Sequence, residues 1–461
     1  MRFWLPTISI HSLVVVVSVL VYILTTRAER TRRPPSIAIA WVLGMIALPY
    51  LVLPTYLLFG RRKLPRKSLR RSGARSFAGH WAQDLIESFG LPASAPTQTR
   101  MHSDGDESAA ALFETIEAAR SRLDVCTYIL GDDAFGRKTM QRLIARARDG
   151  VEVRLLLDGV GAMQLPNVCF AALRAGGVQT AVFSPLFARH TQGPRNLRNH
   201  RKMTIADGAR LWAGGRNLAA EYFTGSNGVP AWRDLTFDLA GTVAAAAAAQ
   251  FECDWVAAGG KAASSAFCIT DALPAAFGPE SCGSGPAQFL PSGPDQSEDT
   301  VHALLIDACF QARDRMLAVT PYFVPDVILE TAMRLAARRG VRIDLCIPAT
   351  SNHKLADFAR NRALRALSQA GVNVHLLPYM SHAKAVVFDC ELALSGSINL
   401  DARSLLLNYE CAVVFYGRAE IDWLANWIEA LIPDTVPFDC RAPSLLRDLG
   451  EGLLLTVAYQ L

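Results

Sequence analysis

The chain has 461 residues, of which 51% are hydrophobic, and a formal net charge of +5. That length exceeds one ordinary domain and predicts two domains with an additional segment. The positive charge is confined to one end: residues 1–75 carry 13 Lys and Arg against one acid, and the remainder carries 34 against 41. The mildly acidic body argues against a nucleic-acid partner, because nucleic-acid-binding domains are normally basic.

Two uncharged apolar stretches, residues 8–26 and 36–59, lie close to the N-terminus. Each approaches the ~20 residues that cross a bilayer, so residues 1–75 are predicted to form a membrane anchor with two transmembrane helices. Pro49 and Pro54 predict a kink or a re-entrant path in the second helix. The alternative for the first stretch is a cleaved signal peptide. Its long apolar run, the missing small-residue cleavage site and the second apolar run argue against that alternative.

A basic segment directly follows the second apolar stretch. Residues 61–75 contain eight of the 13 basic residues, whereas the segment between the two stretches contains four arginines. A basic cluster beside a span faces the cytoplasm and attracts anionic lipid headgroups. The balance favours a multi-pass protein with a cytoplasmic body, and predicts the bilayer and anionic phospholipids as partners.

The ten cysteines are scattered and include no CxxC pair. This distribution is typical of buried free thiols in a reducing compartment. No zinc site is visible, and no metal or cofactor is predicted.

After the anchor, the same order of strand-like and helical segments occurs twice. Corresponding residues are 194 positions apart for Tyr128 and Tyr322 and 182 apart for His200 and His382, because the first copy has about twelve more residues before its histidine. Alternating β-rich runs and amphipathic helices predict an α/β sandwich in each copy, with a mixed or parallel sheet. The predicted domains are residues 76–256 and 300–461, joined by a Gly-, Ala-, Ser- and Pro-rich linker at 257–299. Within that range, residues 287–295 are expected to start the second copy.

Each copy ends its predicted sheet with the pattern His-x-Lys-x4-Asp. Residues i and i+2 of a strand point to the same face, so each histidine and lysine project together. That pairing suits phosphodiester chemistry, in which an imidazole attacks or protonates and an ammonium neutralises phosphate oxygens. Each aspartate is expected to turn the chain at the strand end and support the site. The predicted catalytic set is His200, Lys202, Asp207, His382, Lys384 and Asp389.

A turn of small residues follows each motif: GGRN at 214–217 and GSIN at 396–399. Glycine lets the backbone approach a ligand closely, and hydroxyl and amide groups hydrogen-bond to phosphate oxygens. Asn217, Ser397 and Asn399 are therefore predicted to bind substrate. One motif alone matches many unrelated strands, and it is the duplication that favours a site with two histidines at the interface of the copies.

The duplicated motifs resemble those of the phospholipase D superfamily. The wider pattern is similar to bacterial cardiolipin synthases over roughly residues 3–461, with YILGDDAFG, NHRK…GGRN, WRDL, PYFVPD and HAK…GSINLDARSLLLNYE. The resemblance implies two tandem phospholipase D-like α/β sandwich domains behind two transmembrane helices, in the inner membrane of a bacterium.

The resemblance also implies a metal-independent transfer between two phosphatidylglycerol molecules, giving cardiolipin and glycerol through a phosphatidyl-histidine. It assigns attack to His200 and acid–base work to His382. Each imidazole needs an acceptor for its second nitrogen. Glu410 matches the family position that orients the second histidine, and Asp234 is the candidate for the first.

Three other functions compete with this one. A phospholipase D-type hydrolase would use the same residues with water as the acceptor. A nuclease is disfavoured by the acidic, tethered body, and a non-catalytic membrane scaffold is disfavoured by two intact motifs. The acceptor stays open among phosphatidylglycerol, phosphatidylethanolamine and a free alcohol, as do the membrane side of the site and the oligomeric state.

Overall fold

The computed structural model describes residues 4–29, 35–60, 79–185, 196–226, 228–262 and 285–455. The basic segment 61–75 and the middle of the predicted linker lie outside these residues.

The N-terminal segment forms three helices: α1 (Trp4–Glu29), α2 (Pro35–Ala47) and α3 (Pro49–Phe59). The first predicted span lies within α1, whereas the second is divided at Leu48, which has the non-helical angles φ −137° and ψ 59°. Proline disfavours helical angles in the residue before it, so Pro49 starts a new helix. Among the helices of the described ranges, none combines the length and apolar character that a bilayer crossing requires.

Within the described residues, the first half of the body contains five helices, all seven strands of the first sheet and β1, which pairs with β9 of the second sheet. The helices are α4 (Trp81–Ser88), α5 (Gly105–Ala118), α6 (Ala134–Arg148), α7 (Asn167–Ala175) and α8 (Thr242–Ala257). The strands are β1 (Ala95–Pro96), β2 (Gln98–His102), β3 (Arg122–Thr127), β4 (Glu152–Asp158), β5 (Gln179–Phe183), β6 (Met203–Ala206), β7 (Arg210–Gly214) and β8 (Thr236–Ala240). Short 3₁₀ turns lie at Gly161–Gln164 and Ala220–Tyr222.

The second half repeats this arrangement. Its helices are α9 (Thr300–Gln311), α10 (Val327–Arg338), α11 (Lys354–Ala370), α12 (Ala402–Leu406), α13 (Arg418–Glu429) and α14 (Leu445–Leu455), with a 3₁₀ turn at Ile432–Asp434. Its strands are β9 (Pro286–Ser292), β10 (Arg315–Val319), β11 (Phe323–Val324), β12 (Arg342–Pro348), β13 (Asn373–Leu377), β14 (Ala385–Phe388), β15 (Leu392–Gly396), β16 (Leu400–Asp401), β17 (Glu410–Phe415) and β18 (Val436–Pro437). Strand β9 falls within the range assigned to the linker.

Both sheets are mixed, and their topologies correspond. The first has the order β2-β8-β7-β6-β3-β4-β5, and the second has the order β1-β9-β17-β15-β14-β10-β12-β13-β18. In each sheet three parallel strands (β3, β4, β5 and β10, β12, β13) adjoin the antiparallel strand that follows the motif histidine. The sequence prediction of a mixed α/β fold with two repeats is confirmed.

The helices cover the sheets because each buries one apolar stripe. In α10, for example, Leu329, Met333 and Ala336 recur at helical spacing and are buried, and Asp326 caps the helix by accepting from the Leu329 N–H at 3.2 Å. The inner faces of the two sheets share one core with α8 and α13. Within it, the rings of Phe237 and Phe415 meet edge to face at 5.4 Å. This packing brings the two motif strands to one interface.

The motif aspartates lie at the far end of their strands from the histidines. Seven residues of extended chain separate His200 from Asp207, roughly 20 Å at ~3.3 Å per residue. Asp207 and Asp389 adopt left-handed φ angles of 51° and 49°, which turn the chain. Their carboxylates accept backbone N–H groups at 2.8–2.9 Å from the segments before β3 and β10, namely Arg120, Ser121, Arg122 and Arg313, Asp314, Arg315. The expected turn is present, and the structure engages both carboxylates in the fold, away from the histidines with which the sequence grouped them.

We therefore predict that Asp389→Ala lowers the free energy of unfolding by about 2–4 kcal/mol. The variant loses three charge-assisted hydrogen bonds, and alanine tolerates the left-handed φ of this position less well than aspartate does. The activity per folded molecule should be largely kept. Chemical denaturation and an activity assay on the folded fraction measure the two effects. Asp422→Ala, which breaks only an exposed ion pair with Arg418 on α13, is the matched control and should change stability by less than about 1 kcal/mol. A stable but inactive Asp389→Ala protein would contradict the assignment.

Candidate active site

Each motif histidine is held by backbone hydrogen bonds to the other half of the molecule. The N–H of His200 donates to the carbonyl of Tyr409 at 2.8 Å, and the N–H of His382 donates to the carbonyl of Arg233 at 2.7 Å. Short parallel bridges, 199 with 409 and 233 with 381, accompany these bonds. The segment entering each motif strand is thus fixed on the opposite half.

The carboxylates pair with the histidines crosswise between the halves. Nδ1 of His200 lies 2.9 Å from Oε1 of Glu410, and Nδ1 of His382 lies 2.8 Å from Oδ2 of Asp234. The sequence prediction, which gave Glu410 to the second histidine and Asp234 to the first, is wrong in its pairing. Each acid directly follows the residue that bridges to the opposite histidine segment, so it meets the other copy's imidazole. Both predicted acids are nevertheless present in the site.

The carboxylates are buried and remain charged. Burial by itself raises the pKa of Glu410, but the neighbouring His200, Lys202 and Ser397 outweigh that effect and lower it. For Asp234, burial likewise raises the pKa, and His382 and Lys384 outweigh it. A carboxylate at Nδ1 fixes the tautomer that carries the proton on that nitrogen, which leaves Nε2 as the base or nucleophile.

Burial acts in the opposite direction on the imidazoles. It is the largest cause lowering the pKa of His200, against the effect of Glu410. Burial, and then the Lys384 ammonium, lower the pKa of His382 to about 3 against the effect of Asp234. Both rings are therefore neutral at neutral pH in the ligand-free protein. The side chain of His200 is 14% exposed, against 4% for His382.

The two lysines face the same interface. Nζ of Lys202 donates to the carbonyl of His200 at 2.9 Å, and Nζ of Lys384 lies 3.1 Å from Nε2 of His382. Burial is the largest cause that lowers the pKa of Lys202 to about 8 and that of Lys384 to about 7. The lowered pKa values mean that the two charged ammonium groups are unfavourable in this buried site. A bound anion would therefore stabilise their charged forms.

The turns after the motifs differ between the halves in how they support the acid. The hydroxyl of Ser397 donates to Oε2 of Glu410. The corresponding position is Gly215, where an added Cβ would lie 2.1 Å from Oδ1 of Asp234. Ser397 thus supports the carboxylate in the present structure, whereas the sequence predicted it as a substrate ligand. The smaller Gly215 makes room for the acid of its own half.

Asn217 and Asn399 occupy equivalent positions in a cavity of about 360 Å³ that both motif histidines line. Nδ2 of Asn217 donates to the hydroxyl of Tyr222 at 2.8 Å, and Nδ2 of Asn399 donates to Ser404 at 3.1 Å. The side-chain oxygen of Asn399 is buried without a hydrogen-bond partner. The structure thus places both asparagines on the wall of this cavity, and their binding of substrate stays a prediction.

The cavity also includes residues that sequence reasoning did not select. The rings of Tyr128 and Tyr222 stand edge-on to His200 and His382 at 5.1 and 5.0 Å. Tyr128 directly follows β3, and the carboxyl end of a parallel strand is a common place for ligand contacts; that position was the available signal. Further lining residues are Arg198, Asn352, His353, Arg403 and Asn408.

Comparison with known proteins identifies the same two repeats and the N-terminal segment. Residues 112–255 and 305–432 match the family model described as "Cardiolipin synthase, PLD-like domain", and residues 14–61 match "Phospholipase_D-nuclease N-terminal". The chain is similar in fold to the phosphatidylserine synthase of Haemophilus influenzae Rd KW20, with a TM-score of 0.62 and 14% identity over 82% of this chain and 100% of that one.

Two curated relatives match over most of their length. Cardiolipin synthase A of Pseudomonas aeruginosa (strain LESB58) is 32% identical over 470 residues, covering 95% of this chain and 93% of that protein. Cardiolipin synthase A of Pseudomonas entomophila (strain L48) is 30% identical, covering 87% of each. With both repeats matched by the family model and a relative of this identity along nearly the whole chain, the chain belongs to the cardiolipin synthase family of phospholipase D-like enzymes.

Proposed function

We propose that the chain is a cardiolipin synthase that transfers a phosphatidyl group between two phosphatidylglycerol molecules, releasing glycerol. The observation that carries this proposal is the pair of imidazoles at one interface, each oriented by the carboxylate of the opposite half. Two oriented imidazoles are what a double displacement at phosphorus needs, one to form the covalent bond and one to move the proton.

In the first step, Nε2 of His200 attacks the phosphorus of the first lipid. The bond from phosphorus to the headgroup glycerol breaks, and His382 gives that oxygen its proton. The bound phosphodiester brings a negative charge beside His382, which raises the pKa of its imidazole from the low value of the empty site. The wider exposure of His200 supports its assignment as the nucleophile.

In the second step, His382 takes the proton of the terminal hydroxyl of a second phosphatidylglycerol. That oxygen attacks phosphorus, the bond to Nε2 of His200 breaks, and cardiolipin is released. Lys202 and Lys384 neutralise the phosphate oxygens in both steps, and Asn217 and Asn399 contribute hydrogen bonds. No metal or cofactor enters the proposed reaction.

The N-terminal helices are proposed to anchor the body in the bacterial inner membrane, with the body in the cytoplasm. They pack around Tyr22, Met45 and Tyr56 while leaving a broad apolar outer surface, with side chains such as Leu13, Val16 and Leu51 more than 60% exposed. A continuous apolar surface of this kind is unfavourable in water and suits lipid. The two predicted spans of residues 1–75 belong to this proposal, as do the domain ranges 76–256 and 300–461, with β9 (Pro286–Ser292) added to the second domain.

The first experiment incubates the purified, detergent-solubilised protein with labelled phosphatidylglycerol in the presence of a chelator. We predict cardiolipin and free glycerol from the wild type, and a loss of roughly a thousandfold or more in His200→Ala and in His382→Ala, because each removes a reacting group. His375→Ala, a β13 histidine bound to Asp344 outside the cavity, is the control and should stay active. Phosphatidic acid as the sole wild-type product would identify a hydrolase, and no product from any lipid acceptor would favour the scaffold.

The lysines generate a prediction about pH. Lys384 and Lys202, with pKa values of about 7 and about 8, are charged below these values and lose their protons as the pH rises. Phosphate binding to the free enzyme should weaken accordingly, so kcat/KM should fall between about pH 7 and 9. The measurement is the initial rate in mixed micelles at several lipid concentrations. A kcat/KM that stays constant to pH 10 would exclude lysines with lowered pKa values.

The anchor proposal predicts that the full chain, expressed in bacteria, fractionates with the inner membrane and resists extraction by alkaline carbonate. A protease added to inside-out vesicles should digest the body, whereas intact right-side-out vesicles should protect it. Release by carbonate would rule out the anchor. Digestion in right-side-out vesicles would instead reverse its orientation.

A further inference from the structure

One wall of the cavity carries two arginines, Arg198 from the first half and Arg403 from the second. Arg198 pairs with the buried Asp158 at 3.2 Å and donates to the hydroxyl of Ser184 at 2.8 Å. Arg403 donates to the carbonyl of Asn196 at 2.7 Å. These contacts hold both guanidinium groups at the wall, so that they are positioned before a ligand arrives.

The arginine wall breaks the symmetry of the two halves. Arg198 lies two residues before His200, and the corresponding residue before His382 is Met380. Arg403 lies four residues after Asn399, and the corresponding residue after Asn217 is Glu221. The histidines, lysines and asparagines that act on the reacting phosphorus are duplicated. The reaction at that phosphorus therefore does not explain why two arginines lie on one side of the cavity.

The two guanidinium groups are close enough to affect each other. Burial is the largest cause that lowers the pKa of Arg403; Asp401 and Tyr128 oppose it, and the positive charge of Arg198 adds to it. The carboxylates nearby are oriented by other donors: Asp158 accepts from two backbone N–H groups, each at 2.8 Å, and Asp401 accepts from the N–H of Ser404 at 2.7 Å. An anion that reaches both arginines would relieve their repulsion.

We infer that Arg198 and Arg403, which line the cavity together, bind the phosphodiester of the acceptor phosphatidylglycerol. This inference rests on the proposed function. The two lysines hold the phosphate that reacts, and the arginine wall holds the phosphate that does not. Guanidinium groups suit this task because they bind phosphate through paired N–H donors and keep their charge.

The two steps of the proposed reaction involve different numbers of phosphate groups. Formation of the phosphatidyl-histidine and its return to free glycerol involve one phosphate. Transfer to a second phosphatidylglycerol involves two. Free glycerol carries no phosphate, so its attack on the phosphatidyl-histidine should not depend on the arginine wall.

The experiment uses the full-length protein in mixed micelles of phosphatidylglycerol with labelled free glycerol. Incorporation of label into phosphatidylglycerol reports exchange through the covalent intermediate, and cardiolipin reports transfer to the second lipid. Arg403→Gln should lower cardiolipin formation by roughly tenfold or more relative to label incorporation. Arg403→Lys, which keeps the charge but loses the paired donors, should fall between Arg403→Gln and the wild type.

The matched control is Arg339→Gln. Arg339 also donates to backbone carbonyls, those of Cys309 and Ala312, but it lies outside this cavity. It should keep the wild-type ratio of the two products, and thermal unfolding should show that all variants fold.

Each outcome has one meaning. If both products fall together in folded Arg403→Gln, or if neither falls, the arginine wall does not bind the acceptor. If the wild type exchanges glycerol but makes no cardiolipin, the proposed function itself fails.

Discussion

The site depends on a crosswise pairing of buried charges. Neither half holds both partners of either imidazole–carboxylate pair, because Glu410 reaches His200 and Asp234 reaches His382. A carboxylate buried without a partner costs several kcal/mol, so each half needs the other for its acid to remain charged. The same contact that orients the imidazoles therefore also favours association of the two halves, and the active site exists only in the assembled pair.

Arg201 reinforces this constraint on the side facing away from the cavity. It lies between the first motif's histidine and lysine, just before β6, and its side chain is fully buried in the interface. There it donates to the carbonyl of Glu410 at 2.9 Å and to that of Ser292 at 3.0 Å, and it pairs with Asp254 and Asp295. A fully buried arginine is tolerated because these acceptors satisfy it. It ties the segment of His200 to the strand of Glu410.

The sequence predicts what is repeated and misses what depends on the interface. Two copies of an element order reveal the mixed sheets and both His-x-Lys pairs, since each can be checked against the other. The exchange of Glu410 and Asp234 is a matter of how the copies face each other, which order along the chain does not encode. Asp207 and Asp389 repeat for a structural reason, so repetition alone does not identify catalytic residues. Arg198 has no counterpart before the second motif, and a search for repeats discards it.

The differences between the halves are consistent with the unlike leaving and entering groups of the proposed reaction, which are glycerol and the headgroup of a second lipid. A perfectly duplicated site would treat the leaving and entering groups alike, as exchange with glycerol requires. On one side Ser397 accompanies the longer acid Glu410, and on the other Gly215 accompanies the shorter acid Asp234. The two imidazoles therefore have different surroundings, and the imidazole of His200 is the more exposed one. Because both imidazoles keep a carboxylate at Nδ1, these differences leave the acid–base chemistry intact. They act on what surrounds the phosphorus, where the donor and the acceptor lipid of the proposed reaction occupy different places.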